Sequence, residues 1–174
     1  MIVLKILSKL IKALRSNESP AQLAWGFALG MIIGLTPFRN LHNLLVVLLL
    51  IIFNVNLAMA SLAFLAFSLF AYLFDPLFHS LGYWLLVEVD TLRPVWLWMS
   101  STPIVAWSNF NNTVVLSSLV SSLLLLLPLF FFMKWFVPFY RIRLEPRIQQ
   151  MKIAQLIAGS KLYRLYEKIS ELGE

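Results

Sequence analysis

The chain has no cysteine, 2 histidines and 8 acidic side chains in 174 residues. Without cysteine there are no disulfides, thiolate metal sites or thiol nucleophiles. His42 and His79 would need further ligands at suitable spacing to hold a metal. There is no G-x-S-x-G nucleophile elbow, no phosphate-binding glycine loop ending in Lys-Ser or Lys-Thr, and no H-E-x-x-H. The reading is therefore non-enzymatic, with no catalytic residues, no metal and no cofactor. Glycine is scarce too, with 6 residues, so no flexible linker divides the chain. Charge is thin throughout, at 13% of residues against about 25% in soluble domains.

What replaces charge is apolar. Hydrophobic residues make up 60% of the chain, against about 45–50% in soluble domains. The expected fold is an all-α integral membrane protein. It would be a small helical bundle with a short Gly-rich helical hairpin, flanked by amphipathic cytoplasmic helices. Three parts are expected: an N-terminal amphipathic helix (1–16), a membrane domain (17–137) and a basic amphipathic C-terminal helix (138–174).

The few charges concentrate at the ends. Lys5, Lys9, Lys12 and Arg15 precede the apolar region, and Lys134, Arg141, Arg143, Arg147 and Lys152 close it. Between them the only basic residues are Arg39 and Arg93. By the positive-inside rule both termini should be cytoplasmic, with an even number of crossings. The net charge of +6 favours anionic headgroups, and no basic groove interleaved with aromatics points to nucleic acid. Lysines recur through residues 1–15, which therefore lack the apolar core of a signal peptide. Leu4, Leu7, Leu10, Ile11 and Leu14 opposite Lys5, Lys9 and Lys12 suit a helix lying on the membrane surface. A basic leader that only sets topology fits the same pattern.

Ser19-Pro20 reads as a helix start, with serine as N-cap and proline at the first helical position. Gly26, Gly30 and Gly34 then recur at four-residue spacing, which lets another helix backbone approach closely. The helix should end near Leu35, before Thr36-Pro37. A polar tip follows, comprising Arg39, Asn40, His42 and Asn43, and then an apolar run over 44–53. Both arms are short for a ~30 Å hydrocarbon core, so they either cross a thinned membrane or form a re-entrant hairpin. The spacing predicts a third helix over 57–74, broken at Asp75-Pro76 with Asp75 capping a new one. Residues 76–110, rich in tryptophan, should form short helices at the far interface. The clearest span is 113–136. Its Ser117, Ser118, Ser121 and Ser122 form a small-residue packing face, on which the glycines are expected to seat.

Arginine beside amide donors suits a phosphate or carboxylate. Thr36, Pro37, Arg39, Asn40, His42 and Asn43 are accordingly the candidate lipid- or partner-contacting residues. Emergence of the tip into water, with Arg39 on lipid headgroups, fits the same residues. Asn111-Asn112-Thr113 matches a glycosylation sequon formally, which matters only in a eukaryotic secretory context.

Ser19-Pro20, Ala24, Gly26-Phe27-Ala28, Gly30, Gly34-Leu35-Thr36-Pro37 and Leu41-His42, followed by Asn56-Leu57-Ala58 and Asp75-Pro76, together resemble the bacterial membrane domain of unknown function 2062. The resemblance covers roughly 16–136. Asn40, where glycine is common, and Asp75, where asparagine is common, depart from the pattern. The resemblance carries no assigned enzyme activity. It implies a small inner-membrane protein similar to short forms encoded beside large AsmA-like envelope proteins. Membrane phospholipids and such a partner's transmembrane helix are thus the expected partners, in an envelope phospholipid-transport assembly. A small autonomous transporter or channel, acting as a homo-oligomer, is the alternative.

Overall fold

The computed structural model describes residues 11–150, and every regular element among them is helical. The expected surface helix over 2–15 lies outside this range except for its last turn, 11–15, which is helical. The expected C-terminal helix over 146–172 is likewise described only to Gln150.

Helix α1 is Pro20–Leu35. It starts where the sequence dictates: Ser19 accepts from the Gln22 amide at 3.2 Å, and Gln22 returns the bond to the Ser19 amide at 2.9 Å. This reciprocal pair satisfies two of the four N–H groups a helix start leaves open. The helix ends at Thr36, which is extended because proline follows. Eleven of its 16 residues are buried, on all sides, so α1 is the central element.

Helix α2, Leu41–Ile52, buries only His42, Asn43, Val46 and Leu50 and leaves the opposite face exposed. Asn54 then adopts a left-handed φ of 48°, which asparagine tolerates. Gln22 donates to the Asn54 carbonyl at 3.4 Å and Asn56 donates to Glu18 at 2.8 Å. The chain has therefore returned to the level where α1 began.

Helix α3 runs Leu57–Tyr83, about 40 Å at 1.5 Å per residue. Asp75-Pro76 does not break it, contrary to the sequence expectation. Asp75 is a mid-helix residue and caps nothing, while Ser80 donates to the Pro76 carbonyl at 3.0 Å. Proline removes one ladder bond, the one to the Tyr72 carbonyl, and the helix continues through it. A π-turn, Trp84–Glu88, and a 3-10 turn, Asp90–Leu92, lead to α4 (Arg93–Ser101) and α5 (Pro103–Ala106). Trp96 fastens this strap by donating to the Leu85 carbonyl at 3.0 Å and stacking on Phe110.

Helix α6, Thr113–Phe139, starts on Asn112, whose side chain accepts from the Val114 and Val115 amides at 3.0 and 3.2 Å. It passes through Pro128 and continues by a π-turn, Tyr140–Leu144, into α7, Glu145–Gln150. α3 and α6, with their flanking turns, are the two described helices long and apolar enough to cross a membrane.

The glycines fix how these helices pack. Added Cβ atoms on Gly26, Gly30 and Gly34 would strike the backbones of Asn56, Ala60 and Phe64. Both series advance by four, so α1 and α3 run parallel in close contact. The sequence expectation that these glycines seat on the serine face is thereby corrected. Ser117 meets the far half of α3 instead, bonded to the Phe78 carbonyl, with Gly82 against Thr113 one turn away. Ser118 and Ser122 are buried with Ser117, and Ser121 is half-buried. Spacing shows that a backbone approaches but not whose backbone it is.

α6 runs antiparallel to α3 and returns to the start of α1. There Trp25 packs on Phe130 with ring centres 4.4 Å apart, among Ala24, Ala28, Met133 and Val137. Arg141 closes this end by donating to the carbonyls of Leu14, Ser16 and Glu18 at 2.7, 2.8 and 3.1 Å. Arg15 pairs with Glu145 at 2.8 Å beside it. The two ends of the described chain therefore meet at one end of the bundle.

Candidate functional site

The opposite end carries the turn between α1 and α2. Residues 36–40 leave helical geometry, which exposes backbone carbonyls in an apolar molecule. Asn43 is aimed at them, donating to the Pro37 carbonyl at 2.9 Å and the Phe38 carbonyl at 3.3 Å. Asn40 donates to the same Pro37 carbonyl at 2.7 Å, filling both of its lone pairs. The Thr36 hydroxyl lies 2.8 Å from the Ile32 carbonyl and 2.9 Å from the Asn43 side-chain oxygen, and its single proton serves one at a time. Thr36 and Asn43 are buried, so their role is to hold the turn.

The turn reaches the chain just before α6. Asn109 donates to the Asn40 side-chain oxygen at 2.7 Å across 69 residues of sequence. Asn109 itself has φ of 53°, which reverses the chain just before the N-cap of α6. Between the two segments lies an open cleft of about 500 Å³. Its lining is Pro37, Arg39 and Asn40 on one side and Asn109, Asn111, Asn112 and Val115 on the other. Arg39 is exposed and makes no ion pair or hydrogen bond among the described residues. The cleft therefore offers one unpaired guanidinium among four amides and no carboxylate, which suits an oxyanion.

A second depression, about 180 Å³, lies on the other side of the turn. Ile33 of α1, Phe38 of the turn, Val47 and Leu50 of α2, and Leu57, Ala60, Ser61 and Phe64 of α3 line it. Its lining is almost entirely apolar. Successive turn residues thus serve different sides: Pro37 and Arg39 the polar cleft, Phe38 the apolar groove.

Of the sequence-selected residues, Pro37, Arg39 and Asn40 line the cleft together. Thr36 and Asn43 brace it from beneath. His42 is 9% exposed, does not line the cleft, and has neither ring nitrogen bonded to a described residue. No group of three His, Cys, Asp or Glu side chains among the described residues could hold a metal. His79 is instead 2.8 Å from the Thr113 hydroxyl, across the α3–α6 contact.

A family model described as "Uncharacterized protein conserved in bacteria (DUF2062)" matches residues 5–145. The chain belongs to this family. Its matched region takes in all of α1 to α6, the cleft and the apolar groove. A protein of Treponema pallidum (strain Nichols), itself described as uncharacterized, is 29% identical over 160 residues. The match spans 92% of this chain and 98% of that one. No solved structure matches this DUF2062 chain.

Sequence reasoning missed Asn109, Asn111 and Asn112 as site residues. Three asparagines in four positions of so apolar a chain were the available signal, and a weak glycosylation pattern occupied the same letters. It also missed Phe38, which reads as an ordinary apolar residue until both sides of the turn are seen.

Proposed function

We propose that this protein is a non-enzymatic inner-membrane subunit that meets phospholipid headgroups through Arg39 and serves an envelope phospholipid-transport assembly. The observation that carries this reading is an unpaired arginine in an amide-lined cleft at one end of a bundle whose flanks are apolar. Lateral exposure supports insertion in the bilayer. Over their most apolar eighteen residues, α3 is only 17% buried and α6 only 33%. Leu69, Leu73, Leu124, Phe131 and Trp135 are all more than half exposed. A soluble protein would bury such helices rather than present this much apolar surface to water. In this reading α1 and α2, about 24 and 18 Å long, form an undersized hairpin beside two full spans.

Orientation follows from charge. Arg15, Arg141 and Arg147 lie toward the end where residues 14–18 meet Arg141, and that end would face the cytoplasm. The cleft would then lie at the periplasmic headgroup layer, with the Trp98 and Trp107 strap beside it. Short arms next to full spans would thin the bilayer there and ease lipid access to a large AsmA-like envelope partner. That partner's transmembrane helix would dock on the exposed flanks.

The chain's lack of cysteine makes single-cysteine mapping clean. An Arg39→Cys variant should be labelled by an impermeant reagent from the periplasmic side only. Purification in mild detergent should retain a large AsmA-like envelope protein. Labelling from the cytoplasm alone would reject the orientation, and retention of no such partner would reject the assembly role.

A further inference from the structure

We infer that the cleft is selective for an amine-free anionic glycerophospholipid of the phosphatidylglycerol class, seated with one acyl chain in the groove lined by Phe38. The inference rests on the headgroup reading above and names the ligand of that same site. The argument begins with what the cleft lacks. A phosphodiester carries one negative charge, and Arg39 supplies one positive charge with forked donors. An ethanolamine head adds an ammonium, which needs an acceptor of opposite charge. None of the residues lining the cleft is acidic. The ammonium would also sit near Arg39, where like charges repel. A glycerol head instead adds hydroxyls, which both donate and accept. Asparagine amides match that chemistry. Asn111 is exposed and makes no hydrogen bond among the described residues, so its amide is open to a ligand.

The groove argues for a lipid rather than a free phosphate. It opens among exposed apolar side chains, with Phe38 66% and Leu57 58% exposed. An apolar depression facing a bilayer is filled by hydrocarbon, because nothing else there can pack against it. Its volume of about 180 Å³ suits a length of one chain rather than a pair. Hydrocarbon carries no headgroup information, so the groove holds and orients the lipid without choosing between headgroups. Selectivity then resides in the cleft. Phe38 lies between Pro37 and Arg39, so a lipid whose phosphate meets Arg39 has its chain beside the groove.

The test uses the full chain, delipidated in mild detergent and titrated with short-chain phosphatidylglycerol, phosphatidylethanolamine or inorganic phosphate. Native mass spectrometry counts bound lipid, and thermal shift serves as a second readout. Phosphatidylglycerol should bind about tenfold more tightly than phosphatidylethanolamine, the scale of one charge-assisted contact. Arg39→Gln should abolish that preference. Ser61→Phe, which fills the groove, should weaken phosphatidylglycerol retention without weakening inorganic phosphate. Asn111→Asp adds the missing carboxylate at an exposed position without partners, so it should shift preference toward phosphatidylethanolamine while the fold is kept. Equal binding of the two lipids, or no response to Asn111→Asp, would overturn the selectivity. Inorganic phosphate competing as well as lipid would overturn the lipid assignment. If both lipids bind equally and Arg39→Gln weakens both, the selectivity fails while the headgroup reading stands. If neither lipid binds, both fail.

Discussion

Replacing Gly30 with alanine should destabilise the protein, although alanine is the better helix former. A Cβ on Gly30 would lie 2.7 Å from the Ala60 Cα and 2.8 Å from its carbonyl carbon, where ordinary contact begins at 3.4 Å. α1 and α3 must therefore part by at least about 0.7 Å at this level, and by more at the Ala60 carbonyl oxygen. All three nearest atoms are backbone, so no side chain can rotate away to make room. A gap of about 0.5–1 Å forfeits a quarter to a half of the dispersion attraction between facing atoms. Overpacking of this kind costs about 1–3 kcal/mol, and a contact made only of backbone belongs at the upper end. Helix propensity returns about 1 kcal/mol.

The net loss is about 2 kcal/mol, or about 4–8 °C in Tm for a chain of this length. Thermal unfolding followed by circular dichroism in mild detergent would measure it. Gly34→Ala should lose less, because its nearest contacts, at 2.8, 2.9 and 3.2 Å, overlap less than those at Gly30. The sign is decisive. A Gly30→Ala variant that melts at or above the parent would show propensity winning, and the parallel α1–α3 seam would be refuted.

Arg141→Gln should lower stability by about 2–3 kcal/mol, since hydrogen bonds to a charged group are worth about 1.5–3 kcal/mol and three carbonyls lose their donor. Arg141→Lys should recover only part of this in the same melt, because an ammonium lacks the planar fork. Asn112→Ala should cost about 1 kcal/mol by uncapping α6, whereas Asn112→Asp should keep the cap and its melting point. In lipid titrations that same aspartate, now facing Arg39 across the cleft, should weaken anionic lipid. His42→Phe should be neutral or raise stability by up to about 2 kcal/mol, because it removes two buried nitrogens without partners. A clear loss of stability on His42→Phe would reveal a bond to that ring.

Local signals in the sequence were reliable wherever one short segment sets the outcome. Ser19-Pro20 opens α1 by a capping box, Thr36-Pro37 closes it, and residues 113–136 fall within α6. Long-range pairing was not legible. The glycine spacing fits any approaching backbone, and only the fold assigns it to Asn56, Ala60 and Phe64. Asp75-Pro76 carries the letters of a helix break, yet the apolar length on both sides holds α3 together. The Asn40–Asn109 bond spans 69 residues, so no periodicity could bring the cleft's two walls together. The expected site was thus half visible, its turn readable and its asparagine wall not.

The site's position follows from unequal helix lengths. α1 ends after 16 residues, whereas its parallel neighbour α3 continues for 27. The turn at 36–40 therefore sits beside the first half of α3, with Phe38 near Phe64, and beside the first turns of α6, recessed rather than projecting. Recessed backbone in an apolar bundle must be satisfied from within. Thr36, Asn40 and Asn43 do this, and both bonds on the Pro37 carbonyl are accounted for. Folding thus engages every polar side chain of the turn except Arg39 and the His42 ring. A group that the fold does not need can be changed without harming it. Arg39→Gln should accordingly melt with the parent while losing anionic lipid, the reverse of Gly30→Ala. Parallel loss of both properties in Arg39→Gln would mean that the guanidinium holds the fold, and the cleft would lose its claim to a ligand.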